Sequence, residues 1–133
     1  MLKKGIITKI SSVSFEQTYQ QLRTVIDNNP NLKIIAELNH QANAASVDLE
    51  LQPTRIILFG NPRLGTPLMQ NAQTVGLDLP QKILVYQDTE NIVRVIYNDP
   101  MYLVERHGIT DNEGVLQKIS GALDKLTAVA IAG

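Results

Sequence analysis

The chain contains no cysteine, which excludes disulfides, thiol catalysis and most structural zinc sites together. The same absence leaves the redox compartment open, since a cysteine-free chain is at home in oxidising or reducing surroundings. Neither sign of charge is in excess: 12 Lys and Arg face 13 Asp and Glu, a formal net charge of −1. A nucleic-acid surface needs a basic excess and a basic stripe, and the sequence has neither. No apolar run approaches the roughly 18–20 residues that cross a bilayer. The opening "MLKKGIITKISS" has a lysine pair but not the apolar stretch of a signal peptide. These absences describe a soluble, cytoplasmic protein with no membrane span, a description that also fits a chain trimmed of an export leader.

What is present is an ordinary globular composition. A length of 133 residues with 44% hydrophobic content fits one domain, residues 1–133, around a single core. Residues 5–11 alternate as a first strand does. Ser14 with Gln17 forms a capping-box pattern ahead of Phe15, Tyr19, Leu22 and Ile26 at helical spacing. Pro30 stops that helix. Leu32, Ile34, Ala36 and Leu38 then share one face of a strand. The stretch "NHQANAASVDLELQP" reads as a turn followed by a short helix, and "RIILF" as a central strand. "KILVYQ" and "IVRVIY" flank "DTEN" as a β-hairpin. Asp99 and Pro100 open a short helix closed by Gly108. Asp111 is the expected cap of a long last helix whose stripe is Val115, Ile119, Ala122, Leu123, Leu126 and Ala130.

The order is β-α-β-(α)-β-(α)-β-β-(α)-α. The hairpin argues against a doubly wound parallel sheet, in which every strand pair needs a crossover. An α+β domain is expected: a largely antiparallel sheet, two long helices on one face, and short helices around it.

Residues 59–69, "FGNPRLGTPLM", have the look of a phosphate-binding loop: two glycines, a strand before and a helix after. Phosphate chemistry also needs Lys and then Ser or Thr after the second glycine. Thr66 and Pro67 stand there instead, and Pro62 and Pro67 remove backbone N–H donors. The stretch therefore reads as a strand-to-helix turn, with Thr66-Pro67 as the start of a helix through "PLMQNAQTV". Asn61 and Arg63 are left without a structural role.

The blocks "FGNPRLGTPLM", "LDLP" at 77–80, "YNDP" at 97–100 and "RH" at 106–107 occur in order. Together with "NHQANAA" and "PTR" upstream, they closely resemble the family named domain of unknown function 302. Asn39 departs from the pattern, in which an acidic residue is common before the histidine. The resemblance implies a fold similar to one repeat of the TATA-binding-protein-like class, β-α-β(4)-α, in a homodimer. It implies no DNA binding, since fold does not carry function, and no established activity or cofactor.

The ligand-binding candidates are His40, Asn61, Arg63, Tyr97 and His107. Imidazole titrates near neutrality and binds metals, so either histidine could serve as a general base. His107 reads more readily as a cation ending a helix before its C-terminal glycine. Two histidines without metal-ligand spacing make no metal site. Asp78 reads as a turn residue that accepts backbone N–H bonds. Arg63 is the candidate for an anionic group, or else a solvated arginine or a partner of Asp99 or Glu105. The expected function is a homodimeric small-ligand-binding module. The alternatives are an enzyme using His40 or His107 as acid or base, and an interaction protein without a ligand.

Overall fold

The computed structural model describes residues 3–133. Its five strands are β1 (Ile6–Ile10), β2 (Lys33–Asn39), β3 (Thr54–Gly60), β4 (Gln81–Gln87) and β5 (Val93–Asn98). They form one sheet in the order β1-β5-β4-β3-β2, antiparallel throughout. The helices are α1 (Phe15–Asp27), α2 (His40–Ala45), α3 (Pro62–Asn71), α4 (Pro100–His107) and α5 (Glu113–Ile131), with a 3₁₀ turn at Gln73–Leu77. The fold is α+β, and the element order is the expected one.

Alternation sorts the sheet into two faces. Ile57, Phe59, Ile83, Val85, Val93, Val95 and Tyr97 are buried beneath α1 and α5. The opposite face carries Leu38, Ile56, Leu84, Ile96 and Thr8, which pair in register across all five strands. α1 adds Phe15, Tyr19, Leu22 and Ile26 to the core, and α5 adds Leu116, Ile119, Leu123, Leu126 and Ala130.

Local chemistry explains where the boundaries fall. Ser14 accepts from the Gln17 N–H at 3.1 Å, but only half of the expected capping box forms. The Gln17 amide donates to Gln21 instead of reaching back. The second helix follows β2 directly, because the Asn39 side-chain oxygen accepts from the Ala42 N–H as its N-cap, and the irregular segment comes after it. The last helix starts at Glu113 and not under an Asp111 cap, since Asp111 lies in the left-handed region at φ 59°. Asn71 holds that loop, donating to the Thr110 carbonyl and to Asn112.

In the hairpin turn, Asp88 accepts the N–H groups of Glu90 and Ile92 and pairs with Arg94. The Arg94 hydrogen bond holds the Asp88 carboxyl below the usual carboxylate range, and Lys9 does the same for Asp124. A carboxyl whose pKa is depressed by folding stabilises the fold above its unfolded value and loses that contribution as pH falls through the folded one. Stability is therefore expected to hold above about pH 4 and to decline below it. Asp88→Asn flattens the decline, as read by urea melts across the acid range.

Candidate functional site

A surface pocket of about 390 Å³ lies where β3 gives way to α3. Phe59 and Gly60 end β3 on its wall, and Leu64, Gly65 and Met69 follow from α3. Leu32 and Ile35 close one side, Ile119 and Ala122 of α5 another. Gly76 of the 3₁₀ turn and Leu79 and Pro80 just after it complete the pocket. The walls are chiefly hydrocarbon, as in most small-molecule sites.

Asn61 belongs to this pocket and has a backbone task as well. Its side-chain oxygen accepts from the Arg63 N–H at 3.1 Å, making it the N-cap of α3 with Pro62 as first helical residue. α3 thus begins a turn before the expected Thr66-Pro67 start, and Pro67 lies inside it. An Asn-Pro cap one turn upstream competes successfully with Thr-Pro because it meets the strand end directly. Asn61→Ala is expected to cost about 1 kcal/mol by chemical denaturation.

The five candidates do not converge. Arg63 is exposed in the first turn of α3 and has no ion pair among the described residues. Asp99 caps α4 and Glu105 pairs with Lys4, so neither meets it. His40 opens α2 beside Asn39, which pairs with Arg55; Gly60 is five residues further along β3. That separation is roughly 17 Å at the rise of a strand. Tyr97 is 6% exposed, paired with Ile83 and Ile7 in the core. Burial first, and then the Asp124 carboxylate, push its hydroxyl above the ordinary phenol value, while a bond with Thr127 opposes them.

His107 has a different setting from either reading of it. Its ring is 5% exposed, with Nε2 2.5 Å from Asp78 Oδ2 and Nδ1 2.9 Å from the Thr74 hydroxyl. Arg106 bonds both Asp78 oxygens at 3.0 and 3.1 Å. Asp78 therefore accepts from two side chains of α4, not from turn amides as expected. A hydroxyl, an imidazole and a carboxylate in line resemble a proton relay. None of the three lines the pocket, whereas Gly76, Leu79 and Pro80 beside them do. The cluster ties the end of α4 to the segment that walls the pocket.

Gln81 and Lys33 also line the pocket and were not among the candidates. Gln81 had a readable signal: with Ile83 and Val85 it occupies the buried parity of β4, a polar residue on an apolar face. Lys33 had none, being one more lysine at a strand end. Among the described residues, no three His, Asp or Glu side chains come together as a metal site.

The profile of the family described as domain of unknown function DUF302 matches residues 7–126. The chain belongs to the DUF302 family. A crystal structure of an uncharacterized conserved DUF302 protein from Bacillus stearothermophilus superposes with a TM-score of 0.73 at 19% identity, covering 97% of each chain. That likeness establishes the DUF302 fold. Three Brucella proteins share 32% identity with this DUF302 chain over 123 residues, or 91% of its length. They are named fluoride-specific ion channel FluC 1 in Brucella suis and Brucella abortus, and FluC 2 in Brucella melitensis. The match covers 48% of the Brucella suis protein and 45% of each of the others. The DUF302 chain spans about half the length of these curated relatives. No helix among its described residues is long and apolar enough to cross a membrane.

Proposed function

We propose that this DUF302 chain is a small-ligand-binding module. The observation behind this reading is the pocket of about 390 Å³ beside the Asn61 turn, a volume in the range that holds small organic ligands. Walls drawn from β2, β3, α3 and α5 come from packed elements, so the cavity is held open without a ligand. The braced segment at 78–80 adds a further fixed wall. The module is read as one domain over residues 1–133 from its length, and as TATA-binding-protein-like in arrangement and homodimeric on the strength of the family resemblance.

The Brucella relatives favour the same reading. Their names assign ion conduction to proteins about twice as long as this chain. Among the described residues of this chain no helix is long and apolar enough to cross a membrane, and the sheet has β1 and β2 as its edges. The shared segment is suited to be an accessory domain that binds a ligand for its host.

The test is thermal shift against a metabolite panel, run in parallel on Gly65→Leu. A Cβ at Gly65 meets only Leu79 Cδ1, at 3.5 Å, so the larger side chain enters the cavity. A ligand that stabilises the native chain should lose its effect in the filled variant. No shift from any class, or one that survives the filling unchanged, overturns the reading.

A further inference from the structure

The interior of the pocket offers hydrocarbon and almost no charge. No Asp or Glu lines it, and Lys33 is its one ionic residue. Adjacent residues of a strand point to opposite faces of a sheet. Lys33 stands opposite Gly60, whereas Gln81 stands opposite the neighbouring Phe59. Phe59 is buried on the helix-covered face, so Gln81 shares that face with Ile83 and Val85. The Lys33 side chain belongs to the other face, and an ionic group inside the cavity meets no opposite charge. Among the polar side chains that remain, the Asn61 oxygen is already taken by the Arg63 N–H, and Thr66 is exposed. The Gln81 amide nitrogen is buried without any acceptor among the described residues. The amide turns on a broad, two-fold torsion, so it presents either its oxygen or its N–H groups to the cavity.

We propose that the pocket takes an uncharged apolar molecule bearing a single hydroxyl, with its hydrocarbon body among Leu64, Met69, Leu79 and Ile119 and its hydroxyl at the Gln81 amide. This rests on the ligand-binding reading above and specifies its chemistry. A hydroxyl both donates and accepts, so it completes the amide in either orientation. A carboxylate only accepts and an ammonium only donates. Each of those ions also gives up its hydration on entering a cavity that returns no opposite charge, which disfavours both. The flexible thioether of Met69 lets the wall adapt to hydrocarbon bodies of differing shape. Selection therefore falls on the lack of charge and on one polar group, and less on the outline of the body.

The experiment compares cyclooctanol, cyclooctanecarboxylate and cyclooctylammonium near neutral pH, by calorimetry and thermal shift on the intact chain. Compact rings are used because a long chain can bury its tail and leave a charged head in bulk water. Cyclooctanol is expected to bind about tenfold more tightly than either ion. Gln81→Leu should weaken cyclooctanol by about fivefold, the worth of one hydrogen bond. The same variant should leave the unliganded melting temperature level or raised, because it removes an orphaned donor. Lys33→Met, on the other face, should leave cyclooctanol binding unchanged. If either ion binds as tightly as cyclooctanol, the uncharged assignment falls while the ligand-binding reading stands. If Gln81→Leu has no effect on cyclooctanol, or Lys33→Met weakens it as much, the placement of the hydroxyl at Gln81 falls. If none of the three binds, the proposal is overturned, and the metabolite panel then decides the broader reading separately.

Discussion

Leu68→Ala should lower the unfolding free energy by about 3 kcal/mol, equivalent to a fall of about 10 °C in melting temperature. Leu68 is fully buried and is the residue by which α3 enters the core. Truncation removes buried methyl groups and leaves a void that a close-packed interior only partly refills. Leu64 and Met69 flank Leu68 on α3 and line the pocket, so the variant should also weaken any ligand that depends on that wall. Leu77→Ala is the matched control, since Leu77 is 73% exposed and its loss should change stability by under about 0.5 kcal/mol. Equal effects from the two substitutions would mean that α3 is not seated as described.

Gly5→Ala carries the second large effect, roughly 2–3 kcal/mol by equilibrium denaturation. Gly5 has φ +76°, where side chains are strained, and a Cβ there would lie 2.4 Å from Tyr102 Cγ. That atom is the base of the ring and not a flexible tip, so relief requires moving α4 or the turn into β1. The Gly5 carbonyl also accepts from the Asp99 N–H at 2.9 Å, tying the same turn to the start of α4. Gly108 has nearly the same backbone, φ +67°, with nothing within 4 Å of its built Cβ. Gly108→Ala should cost only the left-handed strain, about 1 kcal/mol. The difference between the two alanines measures the ring contact, and finding none would remove it.

Period and capping made most of the fold readable. α1 and β3 to β5 follow from their apolar spacing, and α4 from Asp99, Pro100 and Gly108. Where the reading erred, two local solutions competed and long-range contacts chose. Asn61-Pro62 and Thr66-Pro67 are both acceptable helix starts. The strand ending at Gly60 selects the first, and Pro67 is then carried inside the helix. Asp111 lost the cap position to Asn112, in a loop held by Asn71, a residue about forty positions earlier that no local pattern connects to it.

The candidate site was legible in part. Asn61 was singled out because glycine and proline had backbone explanations and it did not, and it proves to cap α3 while lining the pocket. His107 attracted notice as a titratable group, yet its partners Thr74 and Asp78 come from a separate segment. Tyr97 looked like a pocket hydroxyl because it ends a strand. The parity that points Ile83 and Val85 inward also points Tyr97 inward, through its pairing with Ile83. His40 belonged to a family-like block, but sequence blocks carry no distance, and β3 separates it from Asn61 by most of its length.

The pairing of β1 with β5 sets a schedule for synthesis. Ile6 lies opposite Asn98, 92 positions later by subtraction. At about 5–20 residues per second, the first strand waits roughly 5–20 s before its partner has been made. During that interval Ile6, Ile7 and Ile10 have no sheet to join. The β4–β5 hairpin, by contrast, pairs neighbours and can close as soon as it emerges. A nascent chain should therefore hold an apolar, unpaired leading segment until near the end of translation, a natural client for whatever chaperone waits at the ribosome exit.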